Sequence, residues 1–226
     1  MGGLEREVTL FSGKTALRGV LKVPVNADGI VLFAHGSGSS RHSPRNRFVA
    51  EALNQRRHAT LLFDLLTEEE EERERDTREL RFDIGLLADR LVDATDWASD
   101  YPQTRELGIG YFGASTGAAA ALVAAGRRTD AIRAVVSRGG RPDLAGAALA
   151  KVKAPTLLIV GSADAPVIPF NKEALMMLGC PKRLELVPEA THLFEEPGAL
   201  EAVARLAVNW FDGYLRERKH RSRLAS

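Results

Sequence analysis

Ser115 stands between Gly113 and Gly117 in the stretch GYFGASTG, directly after an apolar run and directly before a run of small residues, AAAALVAA. A serine in the frame Gly-x-Ser-x-Gly at a strand-to-helix turn is lifted clear of the sheet, with its hydroxyl exposed. A hydroxyl is a poor nucleophile until an imidazole takes its proton. The imidazole in turn needs a carboxylate to fix its tautomer and stabilise its cation. His192 and Asp164 follow Ser115 in the order Ser, Asp, His, so the three residue types suffice for acyl transfer. Asp143 and Asp64 are alternative sources of the acid. The oxyanion that forms during such a reaction needs preorganised N–H donors. The Thr116 amide, next to the nucleophile, is one, and the Ser37 amide, in the flexible Gly36-Ser37-Gly38 loop, is the other.

Four further residues are candidates for contact with substrate. Gly36 allows close backbone approach, and His35, at the end of a buried run, braces the same loop. Arg41 belongs to a basic cluster with His42, Arg45, Asn46 and Arg47, placed to reach the mouth of a site. Arg138, in SRGG at a strand end, can hold a substrate carboxylate in a forked pair.

Elements must bring these residues together. Apolar β-branched runs alternate with amphipathic helical runs, the pattern of a mostly parallel sheet covered on both faces. Glu5 to Phe11 and Thr15 to Val23 read as a hairpin. GIVLFA (29–34), ATLLFDL (59–65), ELGIGYFG (106–113), IRAVVS (132–137), PTLLIVG (155–161) and KRLELV (182–187) read as buried strands. Helical patterns fall at Pro44 to Arg57, Leu80 to Trp97, Ser115 to Ala125, 142–150, 168–178 and Pro197 to about Arg218. The stretch TEEEEERERDTR (67–78) is so charged that an exposed loop or helix start is expected, with no face entering a core. In an open parallel sheet functional groups collect at the carboxyl ends of strands, and Ser115, Asp164, His192 and the 35–39 loop all follow such ends.

Composition narrows the function classes. The 226 residues, 45% hydrophobic, suffice for one domain with a substantial core. With 31 basic and 30 acidic residues no broad field steers the chain to nucleic acid or membrane. A single cysteine, Cys180, excludes an intrachain disulfide. With neither a signal-peptide pattern nor a long apolar run, the expected compartment is the cytoplasm. The five histidines lack metal-ligand spacing, and no usable P-loop or GxGxxG appears, so neither metal nor nucleotide cofactor is expected. The basic tail RERKHRSR reads as solubilising.

The motifs AHGSGSSRHSPRN, GYFGASTGAA, VSRGGRPDL, LLIVGSAD and ATHLFEEPGALEAVA resemble those of the α/β-hydrolase superfamily, in its small dienelactone-hydrolase-like branch, over residues 15 to 215. The resemblance implies a three-layer fold on a sheet of about eight strands without a separate lid domain. It also implies esterase-type hydrolysis, no cofactor and a nucleophile at Ser115. Dienelactone hydrolases carry cysteine at that position, so the serine points to ordinary ester hydrolysis. Some related domains sit beside a phosphoribosyltransferase module, which nothing in these residues resembles. The expected activity is a carboxylesterase acting on small soluble esters or lactones, as a monomer or homodimer. Acyl transfer, lyase chemistry or a non-catalytic binding module on the same scaffold are the alternatives.

Overall fold

A computed structural model describes residues 3–216. Eight strands form one sheet in the order β1-β2-β4-β3-β5-β6-β7-β8. β1 (Leu4–Ser12) and β2 (Thr15–Val23) pair antiparallel around a turn in which Gly13 takes a positive φ of 58°, and β2 pairs antiparallel with β4 (His58–Phe63). All later pairings are parallel: β3 (Gly29–Ala34), β5 (Ile109–Ala114), β6 (Ile132–Arg138), β7 (Thr156–Gly161) and β8 (Lys182–Val187). β3, β4, β5 and β7 are buried along their whole length, which is why their sequences are continuous apolar runs instead of alternating ones.

Helices cover both faces. α1 (Pro44–Gln55) and α6 (Ala199–Tyr214) pack together on one side, over a core containing Phe33, Phe112, Val136, Phe194 and Phe211. α3 (Ile84–Asp100) and α4 (Thr116–Arg127) cover the other, with Leu32, Leu61, Leu91, Tyr111 and Leu122 in its core. Ala118 to Ala121 are wholly buried, and their small side chains let α4 lie close to the sheet. α5 (Ile168–Met177) completes that layer. Between β6 and β7, Pro142–Lys151 forms short 3₁₀ turns broken at Gly146, whose φ is 51°.

The charged stretch departs from expectation. Glu68–Thr77 is a helix, α2, opened by a capping box in which Thr67 and Glu70 exchange hydrogen bonds. One of its glutamates is buried: Glu74 is 1% exposed, pairs with Arg81 and accepts from the Leu80 amide at 2.7 Å. Glu70 meets Arg90 of α3 through two bonds of 2.6 Å. The helix is therefore seated through ion pairs where its neighbours use apolar faces. α6 begins at Ala199 and ends at Tyr214, with Leu215 and Arg216 already past its end, so it is shorter at both ends than expected; residues 217 onward, with most of the basic tail, lie outside the described residues.

Candidate active site

The position of Ser115 is set by backbone geometry. Ser115 has φ 51° and ψ −122°, a conformation that costs a non-glycine residue free energy and recurs at strained functional turns. The bend is possible because its flanks are glycine. A Cβ on Gly113 would lie 2.5 Å from Ala118 Cα, and one on Gly117 would lie 2.2 Å from the Ala34 carbonyl oxygen. Both neighbours are backbone atoms that cannot yield. The Ser115 amide donates to Arg138 O at 3.2 Å, and its carbonyl accepts from the Arg141 amide at 3.1 Å, which fixes the turn to the end of β6.

Beyond β8, His192 Nδ1 donates to Asp164 Oδ2 at 2.7 Å. With Nδ1 carrying the proton, Nε2 is left as the basic nitrogen. Asp164 is 7% exposed, in the turn after β7, while His192 is half-buried. The two alternative acids are engaged elsewhere: Asp143 accepts two bonds from Arg141, and Asp64 accepts from Arg41. Among the described residues Ser115 Oγ makes no hydrogen bond, to His192 or otherwise. Gly139, next to Arg138, packs beside the His192 ring, so His192 and the serine turn share the end of β6.

The loop after β3 closes the other flank. A Cβ on Gly36 would lie 3.0 Å from Ser115 Cβ, so only glycine leaves Ser115 this much room. Ser37 Oγ meets Thr116 Oγ1 at 3.1 Å and ties the loop to the first turn of α4. Neither the Ser37 nor the Thr116 amide donates a hydrogen bond among the described residues, which leaves two N–H groups available on either side of Ser115. His35 holds this loop from beneath. Its Nε2 accepts from the Leu65 amide at 2.9 Å, so the proton must sit on Nδ1, which donates to Gly36 O at 3.0 Å. Burial holds its pKa below the usual histidine value and keeps the ring neutral.

Arg41 does not face a site as a free cation. Its guanidinium pairs with Asp64, and its own amide donates to Asp64 Oδ1 at 2.7 Å. Arg138 is different, being 7% exposed with Nε and Nη1 sealed from solvent and unpartnered among the described residues. Two supports were not evident from the sequence. Asn171, fully buried in α5, donates to Gly140 O at 3.0 Å and steadies the turn after β6. A polar residue on the inner face of IPFNKEALMM is the one sequence signal for it. Arg45 of α1 pairs with Glu195 at 3.1 Å, linking α1 to the histidine loop.

With this geometry in hand, the comparisons with known proteins are specific. The model of the dienelactone hydrolase family matches residues 17–220. The chain belongs to that family. A crystal structure of a dienelactone hydrolase from Anabaena variabilis superposes with a TM-score of 0.93 at 62% identity, covering 96% of this chain and 100% of that one. Est1E from Butyrivibrio proteoclasticus shares the fold at a TM-score of 0.76 and 16% identity, covering 94% of this chain and 98% of that one. Among curated relatives, a Mycobacterium tuberculosis protein provisionally named a phosphoribosyl transferase is 56% identical over 211 residues. That alignment takes in 93% of this chain but 47% of the relative, so the chain spans about half the relative's length. Family and fold together make this chain an α/β-hydrolase of the dienelactone hydrolase family. Among the described residues no helix is long and apolar enough to cross a membrane.

Proposed function

We propose that the chain is a serine esterase acting on small esters. Ser115 Oγ adds to the ester carbonyl carbon as His192 Nε2 takes the hydroxyl proton, and Asp164 stabilises the resulting imidazolium. The Ser37 and Thr116 amides receive the negative charge on the carbonyl oxygen. Collapse expels the alcohol, which leaves with the proton from His192. Water then attacks the acyl-enzyme by the same route and frees the acid.

The observation that carries this reading is the strained Ser115 backbone, because a helix cap alone needs no positive φ, whereas a nucleophile turn does. The His192–Asp164 pair on the same edge of the sheet supplies the matching base. Short acyl groups are the expected substrates because the described residues include no inserted lid domain over the Ser115 turn to shelter a long chain. The phosphoribosyl transferase name of the M. tuberculosis relative attaches to a chain about twice as long. We assign the esterase chemistry to the half that the two share.

The test is a series of 4-nitrophenyl esters from acetate to decanoate. Wild type should turn over the short esters fastest, and Ser115→Ala should lose about 10³-fold or more in kcat. A fluorophosphonate should form one adduct with wild type and none with the variant. Folded wild-type protein that takes no label would favour a binding module. Ester consumption that depends on an added alcohol acceptor would favour acyl transfer.

A further inference from the structure

Asn171 lies on the inner face of α5 with no exposed surface. Both hydrogens of its Nδ2 are committed, one to Gly140 O at 3.0 Å and the other to Val167 O at 2.9 Å. Its Oδ1 has no partner among the described residues, and turning the amide over would set that oxygen against two carbonyls. Burying an amide with its oxygen unpaired costs stability, so the side chain is held there by its two donor bonds alone.

What those bonds join gives the amide a use. Gly140 lies in the turn after β6, which grips Ser115 from both sides: Arg138 O accepts from the Ser115 amide, and the Arg141 amide donates to Ser115 O. Val167 closes the turn after β7, where its own amide donates to Asp164 O at 3.2 Å. Asp164 in turn holds His192 at 2.7 Å. Asn171 therefore spans from the turn that carries Ser115 to the turn that carries Asp164. Phe170, beside it, adds a second contact, with the Arg141 guanidinium 4.7 Å from its ring centroid. The Gly140 turn has no slack toward the sheet, because a Cβ there would lie 2.0 Å from Ser137 Oγ and 2.7 Å from Ala118 Cβ. No hydrogen bond joins Ser115 Oγ to His192 among the described residues, so the framework of these turns sets their separation.

We propose that Asn171 is a positioning residue, which sets the separation between Ser115 and the His192–Asp164 pair by tying the turn that holds the serine to the turn that holds the acid. This rests on the esterase reading and extends it from the residues that react to the one that spaces them. Proton transfer from Ser115 to His192 depends steeply on that separation, and a misplacement of about 1 Å caused by a residue outside the chemistry can cost about 10²-fold in rate. Asn171 is sealed from any substrate, so its loss should fall on kcat and spare KM.

The experiment compares three variants with wild type on 4-nitrophenyl acetate and in urea unfolding. Asn171→Leu, similar in volume but without a donor, should lower kcat about 10- to 100-fold and leave KM within about twofold. Asn171→Thr can restore only the bond to Val167 O, as Thr95 bonds Leu91 O at 2.8 Å one helical turn back, and its hydroxyl is too short to reach Gly140. It should regain part of the urea midpoint lost in Asn171→Leu but none of the kcat. Thr95→Val removes a buried hydroxyl that meets Tyr111 beneath α3, and should lower the midpoint with kcat within about twofold of wild type. Fluorophosphonate labelling should slow in both Asn171 variants by the same factor as kcat. A wild-type kcat in either Asn171 variant, a kcat that recovers with the midpoint in Asn171→Thr, or an equal kcat loss in Thr95→Val would overturn the proposal and leave the esterase reading standing. If Asn171→Leu does not fold, Asn171→Thr and Thr95→Val decide the question between them. Folded wild type that neither hydrolyses the ester nor takes the label would overturn the esterase reading, and the positioning role with it.

Discussion

At the scale of single residues, two glycines beside Ser115 have different duties, and their substitutions should separate. Gly117→Ala places a methyl 2.2 Å from one backbone oxygen and 2.4 Å from another, so β3 and α4 must move apart. A stability loss of about 3 kcal/mol is expected, read as a lower urea midpoint with unchanged slope. Gly36→Ala meets Ser115 Cβ at 3.0 Å and the Ala114 carbonyl at 3.1 Å, contacts that a few tenths of an ångström relieve. The part that yields is the nucleophile itself, so kcat/KM should fall about tenfold while the urea midpoint barely shifts. An equal effect of the two substitutions on stability would contradict this division. The pattern Gly-x-Ser-x-Gly was legible in the sequence as a local signature, although only Gly113 is fixed by backbone within a few residues of the serine, whereas Gly117 is fixed by the Ala34 and His35 carbonyls at the end of β3. Arg138 was legible only as a cation at a strand end. That it is sealed and unpaired depends on α1 and the histidine loop, which are distant in the chain.

At the scale of elements, α2 shows where composition misleads. A run such as EEEEERERDT has no apolar face, and a helix normally docks through one. This helix docks through Glu70 and Glu74, whose partners Arg90 and Arg81 come later in the chain and cannot be matched to them by spacing alone. Arg90 also donates to Leu65 O at 2.6 Å, so it ties α2 to the end of β4 and to the loop beside the site. Replacing Arg90 by Met leaves Glu70 half-buried without its partner. The amides of residues 68–77 should then open more easily by about 2 kcal/mol, while those of β3 and β5 stay protected. Hydrogen exchange followed by mass spectrometry reads this directly, and unchanged protection in α2 would show that Arg90 is not its anchor. The strands posed no such difficulty. A parallel sheet covered on both faces demands apolar residues at every position, and that demand is written locally in GIVLFA and TLLIVG.

At the scale of the whole molecule, two buried histidines at opposite ends of the sheet couple its stability to pH. His35 lies under the loop after β3 at the carboxyl edge. His58 lies at the amino edge, fully buried, and its Nε2 donates to Asp212 Oδ1 at 2.8 Å. Asp212 also accepts from Arg56 and Arg216, and its carboxylate favours an imidazolium less than burial disfavours one, with Arg216 opposing it as well. Burial accordingly holds both histidines below the ordinary value of 6.5. In the unfolded chain each takes up a proton near that value, whereas the folded protein resists the proton until a lower pH. The unfolded state therefore binds more protons below pH 6.5, and stability must fall as pH drops. Each histidine can contribute a slope of up to about 1.4 kcal/mol per pH unit, and the slope vanishes above about pH 7.5, where both states are neutral. Urea midpoints measured from pH 8 to pH 5 should stay level and then decline. His58→Gln should flatten the decline by one proton's worth without altering turnover at pH 8, since His58 is at the opposite edge from Ser115. His35→Gln should flatten it similarly but slow turnover at every pH, because the brace on Gly36 is altered. A decline that survives in the double variant would place the titrating groups elsewhere in the fold.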